Sequence, residues 1–288
     1  MRRSNSAYFY DRIRTGGTVR PSNKPSVDGS ASTGSLFDRT ITHVARLRIL
    51  ALVPLTTALL NTGDLLVTAE ADGISVQASF PVYRYDLWSF VDAPSGEGLS
   101  VSVPFGTLEA TTLIIPLLGA YIIVSGTLSA GYFGSIADGI TTGRLDFVSV
   151  VRRFAVRMIA LEALVVLALV AVFIPLLVFP PLFVLAIVAL FVAGYLFFPT
   201  VYLIVLEDRD IESAARRAYG LVRQHQPLGF FLTMAIVTAA CSIPLSLLAR
   251  TSPLFGIFAA IIAAPLGLGF NVATALKVAE MAGIETAR

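Results

Sequence analysis

The sequence predicts an all-α integral membrane protein with six transmembrane helices, cytoplasmic amphipathic surface helices and a small extracytoplasmic β-hairpin. Of its 288 residues, 56% are hydrophobic and 14% are charged, whereas soluble domains carry about a quarter charged residues. Six apolar runs each approach the roughly 20 residues that a helix needs to cross about 30 Å of hydrocarbon. Because unpaired backbone groups cannot face lipid, each run is expected to be helical.

The start of the chain differs in composition from the rest. Residues 1–46 are rich in Ser, Gly, Arg and Thr, include Pro21 and Pro25, and show no sustained apolar period. This composition is typical of disordered segments. We therefore expect a disordered cytoplasmic tail over 1–46 and a six-span membrane domain over 47–288.

The predicted spans lie at 47–68, 108–131, 154–177, 182–206, 228–248 and 254–280. The first is the weakest, because Asn61, Gly63 and Asp64 interrupt its apolar run. The sixth carries small residues at a four-residue spacing, which is typical of a helix face that packs closely on neighbours. These residues are Ala263, Gly267, Asn271 and Ala275.

The distribution of basic residues predicts the orientation of the spans. Nineteen of the 21 lysines and arginines lie in four regions assigned to one side of the membrane, which are the chain up to Arg48, residues 131–157, residues 207–223 and the end from Lys277. The other side holds only Arg84 and Arg250. Since basic loops are retained inside during insertion, we expect a multi-pass protein of the cell membrane with both termini cytoplasmic.

The connection over 69–106 is predicted to be an extracytoplasmic insertion. Apolar and polar residues alternate over 74–80 and 99–103, and Pro94, Ser95 and Gly96 supply a turn between these runs. This pattern predicts a β-hairpin. Trp88, the only tryptophan, is interpreted as an aromatic anchor or part of a miniature core; the alternative is a recognition surface for an external ligand.

Two cytoplasmic connections have the pattern of amphipathic surface helices. Over 209–223, the residues Ile211, Ala215, Ala218, Tyr219 and Val222 share one helical face. Residues 131–157 show a similar pattern. Their arginines are candidates for binding anionic lipid headgroups at about 1 kcal/mol each, and the alternative is that they set topology and anchor helices. These candidates are Arg152, Arg153, Arg216, Arg217 and Arg223.

A carboxylate inside the third span is the main candidate for an intramembrane polar site. Glu162 lies eight residues after the start of that span, where facing lipid would cost about 2.5–3.5 kcal/mol. We expect it to contact protein or water, with Arg157, Asn271 or Lys277 as candidate partners. Three interpretations follow: a structural contact between helices, part of a polar cavity for a solute, or catalysis.

The sequence carries no catalytic signature. His43, His225 and the single Cys241 are too scattered for a zinc site, and neither a Gly-rich phosphate loop nor a nucleophile elbow occurs. We therefore expect no metal, no cofactor and no enzyme activity. Acidic residues mixed with the arginines disfavour nucleic-acid binding.

The fourth-to-fifth connection resembles a known membrane family. The residues that carry the resemblance are Pro199, Tyr202, Glu207, Asp208, 214–219, 221–223 and Gly229. They are similar to the membrane domain fused to glycerophosphodiester phosphodiesterases and to related six-helix families, in which an Ala-Leu-Arg-Arg-Ser-type surface helix leads into the next span. Gly131, Tyr132, Gly134, Asp138, Gly143 and Phe147 are similar to the matching first connection. The resemblance covers about 150 residues and implies a six-helix bundle; Ala218 stands where a Ser is usual, and the phosphodiesterase domain is absent from this chain.

The sequence thus predicts a multi-pass membrane protein with a structural or interaction role in the cytoplasmic membrane. One alternative is a small transporter or solute-binding bundle that uses Glu162. Another is a protein that handles lipid headgroups through its surface arginines. The expected partners are the lipid bilayer, with its anionic headgroups, and a membrane protein partner or a second copy of the chain.

Overall fold

The computed structural model describes residues 31–60, 68, 85, 87–91, 108–179 and 181–287. Within these residues the regular structure is helical, and no strand occurs. The longer helices in chain order are α1 (Ala31–Arg46), α2 (Leu52–Leu60), α3 (Leu108–Thr141), α4 (Phe147–Val178), α5 (Leu182–Phe197), α6 (Thr200–Leu206), α7 (Ile211–His225), α8 (Leu228–Thr251) and α9 (Pro253–Ala282). Short 3-10 turns cover Arg48–Ala51 and Leu87–Ser89.

Five helical segments are long and apolar enough to cross a membrane, namely 118–141, 147–172, 182–206, 228–251 and 253–282. A sixth results if the bent pair Leu36–Arg46 and Arg48–Leu59, which meets at 83°, counts as one span. The multi-pass, all-helical prediction is therefore confirmed. In the first predicted span, 47–68, regular helix is described from Leu52 to Leu60, and residues 61–67 lie outside the described part.

Helix α9 forms the centre of the bundle. It packs along α8 and also contacts α1, α2, α3, α6 and α7. Ala263, Gly267, Asn271 and Ala275 are all buried, as the four-residue spacing predicts. Small side chains allow neighbouring helices to approach closely, so this face of α9 supports most of the other helices.

The prediction of disorder over 1–46 is wrong for residues 31–46, which form α1. Leu36 and Val44 pack against the core, and His43 is almost fully buried. These positions lie seven to eight residues apart and share one helix face, so their burial against α9 stabilises a helix that the polar composition alone does not indicate. Residues 1–30 lie outside the described part of the chain.

The prediction of a separate surface helix within 131–157 is also wrong. Helix α3 continues to Thr141 and α4 begins at Phe147, so the two form a helical hairpin with a short turn. Ile136, Ile140 and Val150 are buried in the core of this hairpin. The apolar spacing therefore reflects packing of α3 against α4.

The second predicted surface helix exists as α7, and Asp210 caps it by accepting a hydrogen bond from the Ser213 backbone N–H. Its buried face differs by about one position from the prediction. Ala214, Ala218, Leu221 and Val222 are buried, whereas Tyr219 is 44% exposed. Contacts with α5 and α6 set this face.

The predicted β-hairpin over 69–106 lies outside the described residues, apart from Tyr85 and Leu87–Val91. We call these six residues the docked segment, because Tyr85, Leu87, Phe90 and Val91 are each no more than 1% exposed. They share an apolar cluster with α2, α8 and α9. This part of the insertion thus packs inside the bundle.

The bundle has two ends, the arginine end and the Trp88 end. The arginine end carries the turn between α3 and α4, and the Ala287 backbone N–H donates to the Ile140 carbonyl there at 2.8 Å. This contact places the last residues after α9 beside the end of α3. The Trp88 end carries the opposite turn, between α8 and α9 at Ser252.

Candidate functional site

A single side-chain amide on α9 connects three helices. Asn271 is fully buried, and its Nδ2 donates to the Tyr132 hydroxyl at 3.0 Å and to the Gly267 carbonyl at 2.9 Å. The Tyr202 hydroxyl donates to its Oδ1 at 3.2 Å. We call Asn271, Tyr132 and Tyr202 the Asn271 hub; it joins α3, α6 and α9.

Aromatic packing fixes the two tyrosines of the hub. The ring of Phe133 lies edge-on to both Tyr132 and Tyr202, with centroid separations of 5.4 Å, a favourable arrangement for aromatic rings. Both tyrosines are almost fully buried. Because no water competes inside a bilayer, their hydroxyls must be satisfied by protein, and the hub provides that partner.

The docked segment reaches the same amide from the Trp88 end. The Tyr85 backbone N–H donates to Asn271 Oδ1 at 3.4 Å, and Asn271 Nδ2 lies 3.5 Å from the Tyr85 carbonyl oxygen. The Tyr85 ring packs on Phe270 at 5.0 Å, and Phe270 packs on Phe90 at 5.6 Å. The Ser246 hydroxyl donates to the Phe90 carbonyl at 3.4 Å. Asn271 thus pairs with a peptide group of the insertion.

Glu162 lies between α3 and α4. Its side chain accepts a hydrogen bond from the Ser125 hydroxyl at 3.0 Å, and the residue is 7% exposed. Among the residues at this contact is Gly126, where an added Cβ would lie 2.6 Å from the Ile159 Cα, so the two helices touch almost backbone to backbone here.

The three candidate partners of Glu162 have their described contacts elsewhere. Arg157 donates to Asp208 at 2.5 Å, Asn271 belongs to the hub, and Lys277 donates to Glu280 at 3.3 Å. A partner that the structure does give to Glu162 is Ser125, a residue that was not predicted from the sequence. A hydroxyl that is common in membrane helices gives no distinguishing signal in one sequence.

We expect Glu162→Gln to leave the fold intact, because the amide oxygen still accepts the Ser125 hydroxyl. Glu162→Leu removes that acceptor, and the loss is expected to be about 0.6–2 kcal/mol, the range for interhelical hydrogen bonds in membranes. Thermal unfolding of the purified protein in detergent measures both. Ser125→Ala removes the other half of this bond, so the double variant should be less destabilised than the sum of the two single variants. Loss of folding in Glu162→Gln would contradict the structural role.

The arginine end holds ion pairs between α4 and the connection that precedes α7. Asp208 accepts hydrogen bonds from Arg153 at 2.8 Å and from Arg157 at 2.5 Å. The Arg153 guanidinium, followed by that of Arg157, holds the pKa of the Asp208 carboxyl below its usual range. Asp208 has a φ of +53°, the left-handed region that Asp and Asn tolerate better than most residues.

The other arginine candidates divide into two groups. Arg216 pairs with Glu212, and Arg217 lies 3.7 Å from Glu207. Arg152 and Arg223 are exposed. Acidic partners thus offset part of the positive charge that the sequence analysis assigned to lipid headgroups. Exposed pairs of this kind contribute about 0–1 kcal/mol each, so they orient α4 and α7 more than they stabilise the fold.

Three residues around Asn271 were also not predicted from the sequence. Tyr85, Tyr132 and Tyr202 were not predicted as site residues, although Tyr132 and Tyr202 entered the family resemblance. A polar residue at the midpoint of an apolar run, as at Asn271, is a signal that sequence provides. Tyrosine gives a weaker signal, because it is ordinary at membrane interfaces.

Among the described residues, no group of three or more His, Cys, Asp and Glu side chains could hold a metal ion. The described contacts of the hub and of Glu162 link helices through hydroxyl, amide and carboxyl groups. This arrangement holds helices together.

Comparison with known proteins yields no match: neither a family, nor a curated protein, nor a solved structure matches the chain.

Proposed function

We propose that the chain is a non-enzymatic multi-pass protein of the cytoplasmic membrane with a structural or interaction role. The observation that carries the proposal is the apolar surface of α4 and α5. Within an 18-residue apolar stretch of each span, 17% of the residues at 147–172 and 17% of those at 182–206 are buried inside the protein, against 61% for 118–141. Within α5, Gly194 is the buried residue. These two helices therefore offer their side chains to lipid or to another protein.

The described polar groups support this role over transport or catalysis. Asn271 bonds to two tyrosines, Glu162 bonds to Ser125, and Asp208 pairs with two arginines. A buried polar group that already has protein partners stabilises a helix contact. The resemblance to the membrane domain fused to glycerophosphodiester phosphodiesterases agrees with this proposal, since it implies a six-helix membrane bundle.

The proposal is tested by photo-crosslinking from α5 in native membranes. Val184→Cys and Val188→Cys, in a Cys241→Ala background, are labelled with benzophenone maleimide and irradiated. An interaction role predicts a discrete protein adduct from both α5 positions. Ile236→Cys is the matched control, because Ile236 is equally apolar and 69% exposed but lies on α8. Lipid adducts alone at Val184 and Val188, as at Ile236, would count against a protein partner at this surface.

The proposed orientation places both termini in the cytoplasm. Its support is the division of nineteen basic residues against two between alternate connections. We expect Arg216→Cys to be protected from a membrane-impermeant maleimide on intact cells, and Ser95→Cys in the insertion to react. Both variants carry Cys241→Ala, and permeabilised cells provide the control in which both must react. Reaction of Arg216→Cys with protection of Ser95→Cys would reverse the orientation.

Headgroup binding by α7 is the second candidate, and the exposed Arg223 and the exposed face with Tyr219 favour it. A peptide of residues 209–223 should gain helicity on anionic vesicles and lose binding as salt rises, because salt screens charge attraction. Equal binding to neutral vesicles at every salt concentration would remove this candidate and leave the interaction role in place.

A further inference from the structure

The docked segment occupies a slot between α2, α8 and α9. The buried residues of these helices in the slot are five alanines, Ala58, Ala249, Ala259, Ala260 and Ala263, together with Leu245 and Phe270. The large side chains of Tyr85, Leu87 and Phe90 fill the space that the small alanine side chains leave. The slot therefore depends on this segment, since an emptied slot would cost the contacts of three large side chains.

The segment penetrates far into the bundle. Its deepest described contact, at Asn271, lies 18 residues from the start of α9, which is about 27 Å along a helix. Irregular backbone is tolerated at membrane depth only where protein or a water-filled cavity satisfies it. The Asn271 carboxamide meets that requirement, because it offers an acceptor to the Tyr85 N–H and a donor to the Tyr85 carbonyl.

The same carboxamide is bound more tightly on its other side. Its contacts with Tyr132, Gly267 and Tyr202 measure 3.0, 2.9 and 3.2 Å, whereas those with Tyr85 measure 3.4 and 3.5 Å. The amide is therefore held by its own helix through Gly267, by α3 through Tyr132 and by α6 through Tyr202. Because the same amide also bonds to the Tyr85 backbone, Asn271 links both tyrosines to the docked segment.

We propose that the docked segment can be released from its slot and that the Asn271 amide holds it there. Tyr132 and Tyr202 keep this amide in the orientation that binds the Tyr85 backbone. A shift of α3 or α6 that withdraws either hydroxyl frees the amide to rotate and releases Tyr85. The Asn271 hub then couples the arginine end, where α3 and α6 meet α4 and α7, to the Trp88 end. By reciprocity, displacement of the segment also alters α3 and α6.

The test measures how often the segment leaves its slot. Val91→Cys, fully buried in the slot, is placed in a Cys241→Ala background and labelled with a membrane-permeant maleimide in liposomes. When closing is faster than labelling, the labelling rate is proportional to the population of the open state. Tyr132→Phe and Tyr202→Phe should each raise this rate about fivefold, the factor for one lost hydrogen bond of about 1 kcal/mol.

Two controls distinguish release of the docked segment from opening of the whole helix bundle. Tyr195→Phe removes a hydroxyl from a ring that packs edge-on to Phe231, away from the hub, and should leave the Val91→Cys rate unchanged. Val278→Cys, fully buried in the core of α9, reports global opening, and its rate should rise less than that of Val91→Cys in the Tyr132→Phe and Tyr202→Phe backgrounds. An unchanged Val91→Cys rate in both tyrosine variants, or an equal increase at Val278→Cys, would overturn the proposal.

Discussion

Replacing Asn271 by leucine is expected to destabilise the protein by about 2–4 kcal/mol. The variant keeps the branched shape and the number of heavy atoms of the side chain and removes the described hydrogen bonds to Tyr132, Tyr202 and Tyr85. At about 0.6 kcal/mol for each interhelical bond in a membrane, four lost bonds set a lower limit near 2 kcal/mol. The buried hydroxyls and the Tyr85 peptide then lack a partner, and each unsatisfied group adds about 1–3 kcal/mol before relaxation.

The effect is measured by thermal unfolding in detergent. Thr127→Val is the matched control, because the Thr127 hydroxyl donates to the Ile123 carbonyl of its own helix, and its loss should change the transition little. Tyr132→Phe removes one of the four bonds, so its unfolding temperature should lie between those of Asn271→Leu and Thr127→Val. An Asn271→Leu protein that unfolds at the temperature of Thr127→Val would show that the hub does not hold the helices together.

The membrane class and most helix positions follow from hydropathy because the bilayer imposes one requirement on every span. Length and apolar composition decide whether a helix can cross, and the segments at 118–141, 147–172, 182–206, 228–251 and 253–282 overlap the predicted spans. Hydropathy carries no information about which helices pack against each other. The amphipathic pattern near Ile136 and Val150 predicted a surface helix, yet it arises from the contact between α3 and α4.

Helix α1 is a second case in which packing was not predictable from hydropathy, because the sequence predicted disorder and the structure has a helix. A polar stretch with Leu36, His43 and Val44 at wide spacing predicted disorder, because an isolated helix of this composition buries too little apolar surface. The face of α9 supplies the missing surface. A single sequence does not show that the first polar residues have such a partner.

The candidate site was predictable only in part for a related reason. Asn271 and Glu162 stand out because each interrupts an apolar run, and both are buried among protein partners. Their partners were not predicted, because they depend on the register between neighbouring helices, which pairs Ser125 with Glu162 and Tyr132 with Asn271. The contact between Asn271 and Tyr85 depends further on the docked segment, which lies within a predicted β-hairpin.

Gly126→Ala is expected to disrupt the α3–α4 hairpin. The added Cβ would lie 2.6 Å from the Ile159 Cα and 2.8 Å from the Ile159 backbone nitrogen, and backbone atoms cannot move aside as a flexible side chain can. The two helices must separate locally, which also lengthens the neighbouring contact between Ser125 and Glu162. Overpacking of this kind costs about 1–3 kcal/mol and occasionally more.

Gly119→Ala is the matched control on the same helix, because nothing lies within 4 Å of its added Cβ. Replacing a glycine in a helix interior by alanine is otherwise favourable by about 0.5–1 kcal/mol, so Gly119→Ala should raise the unfolding temperature while Gly126→Ala lowers it. Thermal unfolding in detergent measures the direction of both changes. Labelling of Met158→Cys, a position buried in the hairpin, reports whether α3 and α4 separate. If both alanine variants were stabilised alike, the close approach of α3 and α4 at Gly126 would be wrong, because only an open contact leaves room for the Cβ.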